Sequence, residues 1–288
     1  MSGSNTGPIV GGNRAVGHAI SLGTWLIALL FFFPIFWMVL TGFKTDADAH
    51  AGQSLFFSPT LESYNEVLES QEGQFNATGI DGAFAVSAWT SVVSTFVVML
   101  LAIPAAYSLA IRPVAKWRDV LFFFISTKFL PVVAAILPLF FIARFLDLLN
   151  SRLLLIILYT AMNLPLAIWM LRSFFAEVPK ELIEASQMDG AKLLGQIRSV
   201  ILPIAAPGLA ATALLCLIFA WNEFFLAIQL NLLDARTVPN WAFSAVSTRD
   251  LFLGRLSAAS TLATLPVVIA GWVAQKRMIR GLAMGAIK

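Results

Sequence analysis

The sequence predicts an all-α membrane protein with six transmembrane helices and a helical loop on the cytoplasmic side. Three observations predict it. Of 288 residues, 59% are hydrophobic and only 12% are charged. A soluble domain carries about 25% charged residues, so most of this chain's solvent is lipid. Six segments approach the ~20 apolar residues that a helix needs to cross a bilayer. Lys and Arg are distributed unevenly among the connecting loops.

The first 19 residues are polar and glycine-rich and are expected to form a cytoplasmic N-terminal segment. They do not read as a secretory signal, because the apolar run that follows is long and lacks a small-residue cleavage site. That run, residues 20–43, is expected to stay as a membrane anchor. The second run covers 84–111. The third covers 120–145 and is interrupted by Lys128, Pro131 and Pro138. The fourth is 153–175, the fifth 201–230 and the sixth 258–273. Residues 20–288 therefore read as one membrane domain without an internal repeat.

With the N-terminus placed in the cytoplasm, the inner segments hold twelve basic residues: Arg14, Arg112, Lys116, Arg118, Arg172, Lys180, Lys192, Arg198, Lys276, Arg277, Arg280 and Lys288. The outer loops hold six: Lys44, Arg144, Arg152, Arg236, Arg249 and Arg255. Lys128 falls within a span. The imbalance places both termini in the cytoplasm. The loop 44–82 is a periplasmic cap with an expected short helix near residues 61–70. A second outer loop, near 231–257, carries Trp241 and Phe243.

Composition also limits the chemistry. A formal net charge of +3 is too small to argue for a nucleic-acid partner. The one cysteine, Cys216, can form no internal disulfide and reads as a small buried residue. His18 and His50 make no metal cluster, and no metal site is expected. No glycine-rich phosphate loop of the Walker type occurs, and no nucleophile–base pair stands out, so no catalytic residue is assigned.

The loop 176–199 is the most informative segment. Pro179 suits the first turn of a helix. Leu182, Ala185, Met188, Ala191 and Leu194 can form an apolar stripe, and Asp189-Gly190 is a turn signal. A short amphipathic helix facing the cytosol must bury its stripe on something, and a partner protein is the obvious candidate.

Glu184-Ala185-Ser186, followed by Asp189-Gly190-Ala191 and Ile201-Leu202-Pro203, resembles the EAA signature of ABC importer permeases. Ser186 stands where the family pattern has a third alanine. Phe33-Pro34-Ile35-Phe36-Trp37, Ile103-Pro104-Ala105-Ala106-Tyr107, Asn163-Leu164-Pro165 and Trp221-Asn222-Glu223-Phe224 are similar to the smaller permease subunit of maltose-type importers. Ser126-Thr127-Lys128-Phe129-Leu130-Pro131 looks most like the sorbitol/mannitol branch. The resemblance implies a type I ABC importer permease fold over 20–288 and a coupling helix that docks on a cytoplasmic ATPase. It also implies that the tail 276–288, with Gly285 and Lys288, reaches between two ATPase subunits. The implied partners are a second permease subunit, two ATPases, a periplasmic or lipid-anchored substrate-binding protein, and the lipid of a prokaryotic inner membrane. This chain holds no cofactor, since ATP and Mg belong to the ATPase. The implied cargo is a sugar or polyol.

Ionisable groups within spans are costly and usually face a cavity or a partner. Lys128, Asn163, Asn222 and Glu223 are candidates for a hydroxyl-binding path, and Trp169 and Trp221 can stack on a sugar ring. Each also has a structural reading: an ion pair or sister-subunit contact for Lys128 and Glu223, ordinary helix packing for the others. Two other functions compete with the importer subunit. A stand-alone secondary carrier would usually show repeated bundles and coupling carboxylates. A scaffold permease would leave the substrate to its sister chain.

Overall fold

The computed structural model describes residues 14–51, 55–69, 80–112, 114–231, 236–243 and 252–285, with only the backbone for 14–16 and 276–285. The described residues form helices and connecting turns, with no strand among them. Four helices are long and apolar enough to cross a membrane. They are α1 (Arg14–Gly42), α4 (Ile80–Ala110), α7 (Arg152–Ala176) and α14 (Leu253–Gly285). Between α1 and α4 lie the short helices α2 (Asp46–His50) and α3 (Glu62–Glu69).

Two further spans are bent pairs. The third run is α5 (Trp117–Ser126), a 3-10 turn at Thr127–Phe129, and α6 (Val132–Phe145), with an 89° bend between halves. Pro131 explains the break. It has no N–H for the ladder, and it pushes the preceding Leu130 into an extended conformation, with φ −68° and ψ 122°.

The fifth run also bends. After α8 (Lys180–Met188) come α9 (Leu193–Gln196), a π-helical turn at Ile197–Ile201 and α10 (Leu202–Ile204). The chain then turns by 84° into α11 (Ala206–Trp221). Here the structure corrects the expected continuous run 201–230: α11 ends at Trp221, and α12 (Phe225–Leu230) follows a break. A last short helix, α13 (Val238–Phe243), precedes α14.

The core sits where α4, α7 and α11 pack together. One cluster, at the α8 end of the bundle, joins Val98, Ala102, Ala106, Ile168, Leu171 and Phe175 to Ile183, Ile197 and Ile201. A second, at the opposite end, joins Val86, Leu155 and Tyr159 to Leu226 and Leu230. Without a hydrophobic drive between helices in lipid, close approach depends on small residues and shape. Gly208 shows how close: an added Cβ would lie 2.2 Å from the Phe174 ring. Ser151 caps α7, its hydroxyl accepting the Leu154 N–H at 3.1 Å.

The α3 end is tied down by polar contacts. The Gly254 N–H donates to Asp46 Oδ1 at 3.0 Å, and the Ser63 hydroxyl donates to the Lys44 carbonyl at 3.3 Å. Lys44 is buried, with Nζ 4.8 Å from the Trp37 ring centroid and 5.1 Å from that of Phe57. By contrast, α1 is bare along Ile20–Phe36, where large apolar side chains face outward. In water that surface would be untenable; in lipid or against another subunit it is ordinary.

Candidate functional site

The segment around α8 is built by local rules. Pro179 sits one residue before the helix, as an extended N-cap with φ −57° and ψ 132°. At the other end Asp189 is the C-cap and Gly190 adopts φ +79°. The Gly190 N–H donates to the Gln187 carbonyl at 3.0 Å and the Ala191 N–H to the Ser186 carbonyl at 2.9 Å. These two bonds define a Schellman turn, whose left-handed position favours glycine.

The turn divides α8 into two faces. Ile183 is buried in the core with α4 and α7, and Ser186 is buried within the segment. Glu184, Ala185, Asp189 and Gly190 are exposed, and Ala191 is half-buried. The apolar stripe expected from the sequence points away from this chain: Met188 is 88% exposed, Leu194 79% and Leu182 46%. Among the described residues nothing covers it. Ser186, the departure from the family pattern, fits because its hydroxyl donates to the Ile183 carbonyl at 2.7 Å within the helix.

Gln196 was not a candidate from sequence. It is buried, accepts the Tyr107 hydroxyl at 2.8 Å and donates to the Ala191 carbonyl at 2.9 Å. A glutamine in a short, otherwise apolar helix is the one local signal that it has a partner. The tail candidate Gly285 ends α14, and Lys288 lies outside the described residues.

The intramembrane candidates gather along α7. Lys128 sits at the break between α5 and α6, and its Nζ donates to the Met162 carbonyl at 2.8 Å. Met162 lies in the turn that Pro165 loosens by withholding an N–H. Asn163 is buried. Its Nδ2 donates to the Cys216 carbonyl at 3.4 Å, and its Oδ1 has no partner among the described residues. One turn earlier on α7, the buried Tyr159 faces Glu223 without closing a hydrogen bond of good geometry.

Glu223 is not in a helix, as the continuous run had implied, but in the break after α11. Both its oxygens accept backbone N–H groups that open α12, from Leu226 at 2.9 Å and Ala227 at 3.2 Å. Asn222 donates to the Ile218 carbonyl at 2.8 Å and is exposed. The structure thus brings Lys128 and Asn163 to one level of α7. It sets Asn222 and Glu223 at the end of α11, with Glu223 beside Tyr159.

The two tryptophans separate. Trp221 is buried, edge-on to Phe84 at 5.9 Å between centroids, and its indole N–H donates to the Ala263 carbonyl at 3.1 Å. That is a packing role. Trp169 is 47% exposed. A cavity of about 170 Å³ between α4, α11 and α14 is lined almost wholly by apolar atoms, among them Val92, Leu217, Ile218 and Pro266. It offers a sugar few hydrogen bonds.

A family model described as "Binding-protein-dependent transport system inner membrane component" matches residues 102–283. The trehalose/maltose transport system permease of Thermococcus litoralis is 32% identical over 270 residues, covering 93% of this chain and 95% of the relative. The sulfoquinovosyl glycerol transport system permease of Agrobacterium fabrum is 33% identical over 267 residues, covering 89% and 88%. The trehalose transport system permease of Mycobacterium tuberculosis is 30% identical over 284 residues, covering 97% and 100%. Among solved structures, a chain of a bacterial ABC transporter for import of the acidic polysaccharide alginate superposes with TM-score 0.67 at 23% identity. That match covers 94% of this chain and 99% of the other, and shows the fold.

Proposed function

The chain belongs to the family of binding-protein-dependent transport system inner membrane components, a permease rather than an enzyme; on that premise we propose that it forms half of the translocation path of an ABC importer for a sugar or polyol. Membership argues against the stand-alone carrier. The substrate class rests on the relatives' sugar-transport names and on the stretch 126–131.

One observation carries the coupling role: α8 and α9 present exposed apolar side chains, Leu182, Met188 and Leu194, on either side of a Schellman turn, with α8 anchored in the core by Ile183. That face, with Glu184, Ala185, Asp189, Gly190 and Ala191, docks on a separate ATPase that holds ATP and Mg, while Ser186 is buried and supports the helix from within. The other partners are a sister permease, a second ATPase and a periplasmic or lipid-anchored binding protein. The bare face of α1 is available to lipid or to the sister subunit. Both termini are cytoplasmic, and Gly285 and Lys288 approach the ATPases.

Lys128, Asn163, Asn222 and Glu223 contribute polar groups to the path. A second reading has specific support. Glu223 spends both oxygens on α12, and Trp221 is committed to packing, so the sister subunit makes the main substrate contacts and this chain serves more as scaffold.

The experiment purifies this chain with the products of its genetic neighbours. Loaded binding protein is expected to stimulate ATP hydrolysis by the assembled complex. Transport by this chain alone, without an ATPase, would overturn the reading.

A further inference from the structure

The exposed face of α8 explains how force reaches this chain, but not how it travels onward. The covalent route is compliant. From α8 the backbone passes through the Schellman turn, the four-residue α9, the π turn at Ile197–Ile201 and the three-residue α10. It then bends by 84° into α11. A π turn adds a residue to the ladder and is frequent at functional sites. Although Ile197 and Ile201 are seated in the core, the breaks between these short pieces give a push on α8 several points at which to be taken up by bending.

A second route is shorter and buried. The Tyr107 hydroxyl donates to Gln196 Oε1 at 2.8 Å. Gln196 Nε2 donates to the Ala191 carbonyl at 2.9 Å, the Ala191 N–H to the Ser186 carbonyl at 2.9 Å, and the Ser186 hydroxyl to the Ile183 carbonyl at 2.7 Å. Tyr107 is 3% exposed and Gln196 1%, so water offers neither an alternative partner. Tyr107 stands on α4, one turn after Pro104, in the helix pair with α7 that forms the core. The chain of bonds therefore joins the interior of α8 to a membrane span that is neither of its sequence neighbours.

We infer that Tyr107 and Gln196 are positioning residues for coupling: their hydrogen bond is a strut that makes α4 move with α8. This rests on the coupling role proposed above. Gln196 fixes the turn by holding the Ala191 carbonyl, and Tyr107 fixes Gln196. Without the strut α8 would still dock on its ATPase, and its displacement would dissipate in the π turn.

The test uses the full complex in proteoliposomes, with binding protein present. Sorbitol, mannitol, trehalose and maltose are each offered, and the sugar giving the greatest ATPase stimulation serves as probe. Substrate transported per ATP hydrolysed is the readout. Tyr107→Phe keeps the ring and removes the donor; Gln196→Leu removes both polar atoms. Tyr107→Phe is expected to assemble at wild-type yield and to lower transport per ATP about tenfold, the scale of one buried group left unsatisfied; Gln196→Leu, which strands both the Tyr107 hydroxyl and the Ala191 carbonyl, is expected to lower it at least as far. The double variant should be no worse than the worse single variant, because one strut is lost only once.

An unchanged ratio in Tyr107→Phe overturns the inference, as do additive losses or a fall that tracks assembly yield. If Gln196→Leu does not fold, Tyr107→Phe decides alone. Met188→Glu, on the exposed face of α8, separates the two levels. Intact stimulation in Met188→Glu sinks the coupling role itself. Lost stimulation there, with an unchanged ratio in Tyr107→Phe, sinks only the strut.

Discussion

Arg255, in the first turn of α14, grips Glu66 of α3 with two donors, Nε to Oε2 and Nη2 to Oε1, the latter at 2.9 Å. The pair fastens the cap over the α3 end of the bundle to the start of the last span. The Asp46–Gly254 bond lies beside it. Both side chains are part-exposed, so screening limits the pair to about 0.2–1 kcal/mol. A double-mutant cycle of Glu66→Ala and Arg255→Ala, followed by thermal unfolding of the complex, should give a coupling of that size that shrinks as salt rises. Strict additivity would mean the contact is incidental.

Gly190 is expected to tolerate substitution in the order of left-handed preference. Asn should cost least, Ala about 1–2 kcal/mol of local stability, and Pro should abolish uptake, since its φ is locked near −65° against the required +79°. Glu184→Lys should also abolish uptake while the chain still inserts. Substrate-stimulated ATPase of the assembled variants is the measurement, and undiminished stimulation in Gly190→Pro refutes the role of the turn.

Gly208 faces the Phe174 ring with no room for a methyl group. Gly208→Ala is expected to destabilise the complex by about 1–3 kcal/mol through overpacking. Adding Phe174→Ala should return part of that loss, because the second change removes the obstructing ring. The melting temperatures of the two singles and the double decide it.

Lys128 and Glu223 should now behave differently. Glu223→Ala removes two acceptors at the start of α12 and should cost about 0.5–2 kcal/mol in stability, the range of a lost helix cap. Lys128→Met and Asn163→Leu should leave assembly intact. Lys128→Met should raise the half-saturating substrate concentration by roughly 10- to 150-fold if a charged hydrogen bond to substrate is lost, and Asn163→Leu by roughly 2- to 10-fold for a neutral one. Uptake kinetics measured beside the yield of complex separate the cases. An unchanged half-saturation in Lys128→Met moves that residue from the path to the scaffold.

Topology is testable independently. Reporter fusions after Thr60 and Arg236 should read outside, and those after Lys116 and Lys192 inside. A reversed reading at Lys192 would remove α8 from the ATPase side.

The sequence by itself determined the class. Spans are announced by length and apolarity, and the loop 176–199 by its polarity, its Pro179 start and its Asp189-Gly190 stop. Those are local properties, set by a residue and its near neighbours. It also marked the third span as interrupted, at Lys128, Pro131 and Pro138, but only the structure shows that the break falls at Pro131 while Pro138 stays inside α6. Only the tertiary structure decided what the polar residues do. Whether Glu223 faces a path or caps α12 depends on where α11 ends, and that end is not signalled by composition. Whether Trp221 stacks on a ligand or packs against Phe84 depends on which face α4 presents. The bond between Tyr107 and Gln196 joins positions 89 residues apart. A contact at that separation is fixed by how α4, α7 and the bend before α11 pack together, and no period or motif along the chain encodes it.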